Sequence, residues 1–302
     1  TIDEIKVINN NNNDQVKYQI TSVFDHKQKD KVVVEELMEK VFDIVIDCSG
    51  SSRGFNTYEK WGYKKRYQCF YGEFLHCEKG HAFDVDNAQL MNWTIDFNDG
   101  YGPSFVYILP IDKHTVFLEE TSLISDKKIP TSIFKQRIQI RTEKLFNNHD
   151  TGNRSITFQE EYQLCMGGEL PIPRPNFYSF GAAANMGHPA TGYMFAYIVK
   201  NVDSFVQQVV QQRPYHVSHV HRRLNDMGGY ILSNMNDVKM ISKFTETLFK
   251  TPYWLAFMNR NISVFKYICN MIIFAFHYRY RVVMFKYILY YVYCCIFLSR
   301  KK

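Results

Sequence analysis

Residues 115–123, with the sequence TVFLEETSL, decide how most of this chain is interpreted. Side chains on a strand alternate between the two faces of a sheet, so Glu119 shares one face with Phe117 while Glu120 lies on the other. If one face of the sheet is buried, the two adjacent carboxyl groups cannot both reach solvent. One of them then lies among aromatic side chains, where burial raises its pKa and makes it a proton donor near neutral pH. An edge strand with two solvated glutamates is the alternative.

Short apolar runs surround this segment between residues 66 and 180, and glycine and proline separate most of them. The runs predict an antiparallel sheet that forms a wall of a binding cavity. The predicted strands are Tyr67–His76, Ala88–Ile95, Ser104–Leu109, Thr115–Leu123, Thr157–Leu164 and Tyr178–Phe180. Residues 131–146 interrupt the strands with spaced apolar residues and basic residues between them, which predicts an amphipathic helix.

A different kind of strand precedes this sheet. Residues 41–47 are almost continuously apolar and β-branched, which is typical of a parallel-sheet strand covered on both faces. The strand ends in a small-residue turn at 48–52, where backbone can approach a ligand closely. Upstream, residues 17–25 and 31–34 predict two short strands, and the asparagine run at 9–13 predicts a loop tip.

Glycine and alanine dominate residues 181–194, with the sequence GAAANMGHPATGYM. Such a turn lets backbone pack against a large planar or phosphorylated ligand at the start of a helix. A turn that serves packing alone is the alternative. The sequence after it predicts helices at residues 191–212, 220–235 and 238–249.

The formal charge of +6 on the 302 residues comes from the end of the chain. Residues 253–302 hold eight basic residues, no acidic residue and 15 of the 48 aromatic side chains, so the first 252 residues carry a net charge of −2. The many Ile, Val and Leu residues of this tail predict a contact with anionic lipid or an oligomer, and not with nucleic acid. With 46% hydrophobic and 22% charged residues, the composition excludes a disordered, collagen-like or polytopic membrane protein.

Neither cysteine nor histidine spacing predicts a metal site. The seven cysteines form no CxxC pair, which favours a reducing compartment over a disulfide framework. His216, His219 and His221 stand close together, but basic residues follow them and disfavour a bound cation. We therefore predict a solvated helix start there.

Five segments, in this order, resemble the lycopene cyclase family of carotenoid-forming flavoproteins. They are DCSG at 47–50, FDVD at 83–86, FLEET at 117–121, MGGELP at 166–171 and GHPATGYM at 187–194. The resemblance covers about residues 43–194 and continues more weakly at 244–260. Each motif alone is weak, and their order makes the set specific.

The resemblance implies an α/β (α+β) fold with the distal part of a Rossmann-type FAD-binding domain, an antiparallel substrate-binding sheet and a C-terminal helical region. It implies a partial FAD-binding domain at 1–54, the sheet at 55–180, a return to the FAD-binding domain at 181–212 and a basic, aromatic, membrane-proximal helical region at 213–302. The family's opening GxGxxG turn has no counterpart in this sequence. We therefore expect either an N-terminally incomplete cyclase or a diverged relative that binds FAD weakly or not at all.

The resemblance also implies the chemistry. Glu119 is the acid–base residue that protonates a terminal double bond of a linear, lycopene-like carotene, and Glu120 supports it. The carbocation closes a ring and loses a proton, so the isomerisation has no net redox change. Reduced FAD stabilises the cation, and NAD(P)H is the expected reductant of the flavin. The resemblance assigns FAD binding to Gly50, Ser51, Gly181, Gly187, His188, Pro189, Thr191 and Gly192.

Two other functions stay open. An FAD-dependent oxidoreductase or monooxygenase acting on another isoprenoid would consume NAD(P)H and oxygen. A catalytically silent, membrane-associated remnant would bind no flavin. Ala182 stands where flavin hydroxylases usually carry an aspartate, which favours the cyclase. We expect an intracellular protein at a membrane surface, and the family suggests a plastid.

Overall fold

The computed structural model has a mixed α/β fold. It describes residues 2–9, 16–23, 40–50, 55–60, 62–147, 149–213, 219–252 and 254–258, together with ten single positions between 263 and 289. The chain forms two compact units. The first unit comprises Thr1–Tyr63, Glu169–Gly187 and Tyr193–Arg222, and the second comprises Lys64–Gly168, His188–Gly192 and Arg223–Lys302.

Ten strands and five helices are described. The strands are β1 (Ile2–Asn9), β2 (Val16–Val23), β3 (Val41–Phe42), β4 (Val45–Asp47), β5 (Lys65–Cys77), β6 (Gln89–Asn92), β7 (Ser104–Pro110), β8 (Thr115–Ser122), β9 (Arg154–Gly167) and β10 (Phe177–Ser179). The helices are α1 (Thr131–Phe146), α2 (Phe195–Val210), α3 (His219–Ser233), α4 (Val238–Phe249) and α5 (Trp254–Met258).

A five-stranded antiparallel sheet with the order β6-β7-β8-β5-β9 forms the centre of the second unit. The strand β8 lies between β7 and β5, and all four neighbouring pairs of the sheet are antiparallel. The antiparallel sheet expected from the sequence is therefore present, but the strand predicted at 178–180 does not belong to it, because β10 pairs with β4 in a separate parallel sheet. Its strands β5 and β9 are longer than the apolar runs indicated.

Helix α1 covers one face of this sheet and spans the predicted residues. Phe134 and Ile138 of the helix belong to one buried core with Val106 and Leu118 of the sheet. The amphipathic pattern assigns the basic residues of the helix to solvent. Two of them, the arginines at 137 and 141, are instead 1% exposed. Both are buried because each guanidinium group pairs with a carboxylate, Arg137 with Asp99 and Arg141 with Glu120.

Helices α3 and α4 contribute to a second core of the same unit. Ile231 and Ile241 pack there with Phe105 and Leu123 of the sheet region and with Ala190. The helix predicted at 238–249 has these bounds, and Asp237 caps it by accepting hydrogen bonds from the Lys239 and Met240 amides.

In the first unit, the apolar segment 41–47 differs from its prediction of one strand covered on both faces. The structure divides it into β3, which pairs with β2 in an antiparallel sheet, and β4, which pairs with β10 in a parallel one. Val41 and Ile46 are 48% and 47% exposed. Because the two halves of the segment serve different sheets, the chain bends between them and no continuous strand forms. The strand predicted at 31–34 lies outside the described residues.

The structure describes the tail of residues 253–302 only in part. Among the helices that the structure describes, none combines the length and the hydropathy that crossing a bilayer requires. Most of residues 253–302, to which we assign the lipid contact, lie outside the described set.

Two adjacent glycines on α3 yield a stability test. A Cβ at residue 229 would lie 2.6 Å from the carbonyl oxygen of Pro189, and a Cβ at residue 228 would lie 3.1 Å from the Ala190 Cβ. In an unhindered helix, Gly→Ala stabilises by about 1 kcal/mol. We expect Gly229→Ala to lower the free energy of unfolding by about 1–3 kcal/mol instead, because backbone must move.

Denaturant unfolding of the full chain measures this change. Gly228→Ala is the matched variant and should cost less, since it meets a methyl group rather than backbone. A Gly229→Ala protein more stable than the wild type would contradict the close packing of α3 on residues 188–192.

Candidate active site

The strand β8 presents its two glutamates to opposite faces of the five-stranded sheet. Glu119 pairs with Gly72 on β5 and with Tyr107 on β7, whereas Glu120 pairs with Tyr71 and Val106. Residues paired across antiparallel strands share a face. The Glu120 face is the one that α1 covers, and Glu119 lies on the other.

Glu119 is half-buried, and its described partner is a hydroxyl group. Thr121 Oγ1 donates a 2.6 Å hydrogen bond to Glu119 Oε1. Burial raises the pKa of Glu119, the bond from Thr121 opposes the rise, and the negative charge of Glu160 adds to it. This carboxyl group therefore holds its proton at a higher pH than an ordinary glutamate does.

Aromatic rings surround Glu119 on its face of the sheet. Phe74 lies 4.6 Å from Phe117 and 5.9 Å from Phe158, measured between ring centroids, and Phe70 lies 6.1 Å from Tyr162. Phe158 and Tyr162, both on β9, are 56% and 45% exposed. The arrangement is an aromatic surface that carries one poorly solvated carboxyl group.

The neighbouring hydroxyl group on this face belongs to Tyr107. Burial and the negative charge of Glu119 raise the pKa of Tyr107 to about 12. Its hydroxyl group therefore stays protonated at neutral pH and is a weaker acid than the Glu119 carboxyl group beside it.

Glu120 is fully buried and belongs to a polar network under α1. Its carboxylate accepts from Arg141 Nε, from Arg141 Nη2 at 3.2 Å and from Ser104 Oγ. Arg137 Nη1 donates to Ser104 Oγ at 2.7 Å, and Arg137 Nε and Nη2 donate to Asp99 at 2.8 and 2.5 Å. Burial raises the pKa of Glu120, and the two arginines and Ser104 oppose the rise.

The sequence pattern of α1 does not predict this buried network of ion pairs. Phe97 stacks on both guanidinium groups, with each carbon Cζ 5.0 Å from the ring centroid. A signal was present, since residues 137 and 141 lie four apart and share the helix face of Phe134 and Ile138. The acidic partner Asp99 lies 38 residues before Arg137 and is not visible in local periodicity.

The predicted cofactor residues near the end of β4 lie in a stabilised turn. Buried Asp47 accepts a 2.9 Å hydrogen bond from the Ser49 amide and a 2.6 Å bond from Asn56 Nδ2. Gly50 has a φ of 79°, which L-residues rarely adopt. Ser51 lies outside the described residues.

The remaining predicted cofactor residues divide between the two units. Gly181 and Gly187 belong to the first unit, and residues 188–192 belong to the second. Gly181 has a φ of 65°, and a Cβ there would make an ordinary contact with Ile198 Cδ1 at 3.7 Å, so the φ angle and not a clash favours glycine. The structure thus places Gly50 and Gly181 in one unit, and His188, Pro189, Thr191 and Gly192 in the other.

Residues 188–192 form a turn with hydrogen bonds between its own residues. His188 is fully buried, its carbonyl accepts from the amides of Thr191 and Gly192, and its Nδ1 accepts from the Ala190 amide at 3.2 Å. At Gly192 a Cβ would lie 2.6 Å from Gln68 Oε1. A Cβ there would displace the end of the Gln68 side chain, and the φ of 73° favours glycine at 192 whether or not a ligand is bound.

A cavity of about 360 Å³ lies in the first unit. Its lining includes residues 171–179 and Ala184. Arg174 stacks on Phe177 with its Cζ 3.7 Å from the ring centroid and donates a 2.6 Å hydrogen bond to the Phe55 carbonyl. Of residues 181–194, Ala184 alone is among the lining residues.

The interpretation of the three histidines singled out in the sequence stays a prediction. His216 lies outside the described residues, and the side chains of His219 and His221 are not described. Within the described ranges, no three histidine, cysteine or acidic side chains are arranged to hold a metal ion.

The chain is similar in sequence to known proteins. A family model described as lycopene cyclase protein matches residues 6–270. Lycopene beta cyclase, chloroplastic, from Arabidopsis thaliana is 31% identical over 186 residues, which are 59% of this chain and 36% of the relative. Neoxanthin synthase, chloroplastic, from Solanum tuberosum is 29% identical over 205 residues, 64% of this chain and 40% of the relative. The chain thus spans well under half the length of these curated relatives.

Among solved structures, a geranylgeranyl bacteriochlorophyll reductase-like protein from Thermoplasma acidophilum superimposes with a TM-score of 0.43. The sequence identity is 11%, and the match covers 88% of this chain and 64% of that chain.

The ion pair under α1 gives a second stability test. Arg141→Met leaves the buried Glu120 carboxylate without its guanidinium partner, and we expect the free energy of unfolding to fall by about 3–5 kcal/mol. Adding Glu120→Gln should restore part of this loss, because no uncompensated charge then remains. Lys135→Met is the control on the same helix, since its exposed ammonium group lies 4.0 Å from Glu161 and should contribute less than about 1 kcal/mol. If Arg141→Met and Lys135→Met lowered the free energy of unfolding equally, the buried pair would not stabilise the fold more than the exposed one.

Proposed function

Because the chain belongs to the lycopene cyclase family, we propose that it catalyses acid-initiated cyclisation at the ends of a linear carotene. One observation supports this proposal above the others. Glu119 is a half-buried carboxyl group with a raised pKa, and it lies on a sheet face rich in aromatic rings. An alkene is a weak base, so its protonation needs a donor that is kept from water.

Glu119 gives its proton to the terminal double bond, and a carbocation forms on the neighbouring carbon. An inner double bond attacks this carbon and closes a six-membered ring, which moves the positive charge into the ring. Faces of Phe74 and Phe117 offer their negative quadrupoles to the cation and exclude water that would capture it. Loss of one ring proton then gives a product isomeric with the substrate.

The family implies FAD as cofactor, and part of the predicted set fits such a group. Gly50 and Gly181 have positive φ angles, as tight turns that approach a ligand closely often require, and a Cβ at Gly181 would meet no atom nearer than Ile198 Cδ1 at 3.7 Å. These two residues of the first unit would hold the flavin nucleotide, with NAD(P)H as the reductant. Reduced flavin would supply an electron-rich ring that stabilises the cation without passing electrons to the product. Gly192 fits less well, because Gln68 occupies the space beside it.

The two relatives are named for different carotenoid reactions, so the proposal extends to the cyclisation chemistry and not to one carotene. Plant relatives are named chloroplastic, and we propose a plastid membrane surface as the location. The docking of the basic, aromatic tail on anionic lipid stays a prediction.

Glu119→Gln tests the proposed function. The amide matches the carboxyl group in shape but cannot give up a proton, so ring closure should slow by about 10²–10⁴-fold. Chromatography of products from a linear carotene, incubated with the full chain and reduced FAD, measures the rate. Flavin content and the denaturant midpoint should stay at wild-type values.

The same assay separates the rival functions. An oxygenated product with consumption of NAD(P)H and oxygen would identify an oxidoreductase or monooxygenase. Purified protein without flavin, together with indifference to Glu119→Gln, would identify a silent remnant.

The pH dependence gives an independent test of Glu119 as the acid. The protonated form is the active one, so the cyclisation rate should be highest below the pKa of Glu119 and fall as pH rises through it. Thr121→Val removes a hydrogen bond that stabilises the charged carboxylate. The pKa of Glu119 should then rise further, and the falling limb of the pH–rate profile should move to higher pH. Thr121→Ser, which keeps the hydroxyl group, should leave the limb in place. A limb that moves to lower pH in the valine variant would exclude Glu119 as the titrating acid.

A further inference from the structure

A second carboxyl group stands on the sheet face of Glu119. Gly72 on the central strand β5 pairs with Glu119 of β8 on one side and with Glu160 of β9 on the other. Directly paired residues of antiparallel strands point to the same face. Neighbouring strands lie about 4.8 Å apart, so the backbones of the two glutamates are about 10 Å apart across β5.

The residue between the two glutamates has no side chain. At Gly72 the space that a Cβ would take belongs to the ring of Phe117, whose Cζ and Cε2 atoms would lie 2.5 and 2.7 Å from it. An aromatic ring, and not a side chain of β5, therefore lies between the two carboxyl groups. Such an arrangement suits the flat end of a polyene, which would contact both groups at once.

The two carboxyl groups have opposite environments. Burial favours the protonated form of Glu119. Glu160 is exposed to solvent, whereas Glu119 is half-buried. Neighbouring carboxyl groups with such different surroundings are the arrangement that enzymes use for an acid and a base.

The other acidic residues nearby cannot reach this face. Glu120 lies under α1 in its ion pair with Arg141. Glu73 and Glu161 alternate with Gly72 and Glu160 along their strands, so they point to the opposite face. Among the described residues of β5, β8 and β9, Glu160 is therefore the carboxyl group that accompanies Glu119.

We propose that Glu160 is the catalytic base that removes the last proton of the cyclisation, an inference that rests on the proposed function. The O–H bond of Glu119 breaks as a C–H bond forms at the terminal alkene carbon. The inner double bond supplies the electron pair of the new ring C–C bond. A C–H bond beside the ring cation then breaks, its electron pair becomes the ring double bond, and Glu160 takes the proton. Solvent at the exposed Glu160 carries this proton away, and water reprotonates Glu119.

Two separate groups suit this chemistry better than one. Proton donation and proton removal occur at different carbons of the polyene end. After the first step Glu119 lies beside the carbon it has protonated, while Glu160 faces the other side of the Phe117 ring. The position of the base also determines which neighbouring carbon loses its proton, so Glu160 contributes to the position of the ring double bond.

Glu160→Gln, assayed in the full chain with reduced FAD and a linear carotene, tests the inference. We expect kcat to fall by about 100-fold with KM and flavin content unchanged. We also expect new products, namely cyclic alcohols from capture of the ring cation by water or a changed ratio of ring isomers. Glu161→Gln is the matched control, because it removes the adjacent carboxyl group on the opposite face and should behave as the wild type.

A second variant separates a chemical role from a structural one. Glu160→Ala should regain activity when formate is added, since a small carboxylate can replace the missing base, and Glu161→Ala should show no response. A raised KM without rescue by formate would assign Glu160 to substrate binding and overturn the inference.

The remaining outcomes are also decisive. Wild-type rate and products in Glu160→Gln, alongside an inactive Glu119→Gln, would overturn the role of Glu160 and leave the cyclase function standing. A wild-type protein that binds flavin but leaves the carotene unchanged would overturn both.

Discussion

The ion pair between Glu120 and Arg141 is the constraint on which the site depends. Both side chains are almost completely buried, so the carboxylate and the guanidinium must meet each other and Ser104 in one geometry. The period of a strand is two, and a shift of β8 by one residue would therefore exchange its faces. Such a shift would place Glu119 under α1 beside Arg141, but it would also turn Val116 and Leu118, both fully buried in the core with α1, to the other face. The buried apolar residues and the ion pair together thus fix which glutamate reaches the aromatic face.

The sequence predicts much of this arrangement because its strongest signals are local. Alternation in residues 115–123 separates Glu119 from Glu120, and the apolar spacing in 131–146 gives the bounds of α1. The buried arginines of α1 were missed, because a basic residue on an apolar face is stable only with an acidic partner. That partner, Asp99 or Glu120, lies about 20 to 40 residues away along the chain. The prediction of one continuous strand at 41–47 was wrong for a related reason. Apolar character alone does not show that a segment will divide between two sheets.

The glycine-rich turn illustrates how packing and ligand binding share one sequence signal. At Gly229 a Cβ would collide with the backbone carbonyl of Pro189, and at Gly192 it would displace the end of the Gln68 side chain on a backbone with a φ of 73°. Gly181 has no such neighbour, although its φ of 65° also favours glycine. Composition cannot separate these cases, because a glycine looks the same whether protein or ligand fills the space beside it. Gly181, where a Cβ would meet only an ordinary contact with Ile198, is therefore more compatible with a nearby cofactor than Gly192, where Gln68 lies closer.

Two carboxyl groups adjacent in sequence can acquire opposite properties only where the backbone sends them to different surroundings. A sheet covered by a helix on one face does this within a single dipeptide, since α1 supplies cations to Glu120 while the other face offers Glu119 a hydroxyl group and aromatic rings. The Glu120 carboxyl group accepts two hydrogen bonds from Arg141 and one from Ser104, and the sheet separates it from the aromatic face. A carboxyl group held among aromatic rings retains its proton and surrenders it to a base as weak as an alkene only because water is kept away. The acid role that we propose for Glu119 and the structural role of Glu120 therefore depend on one feature, the covering of one sheet face by α1.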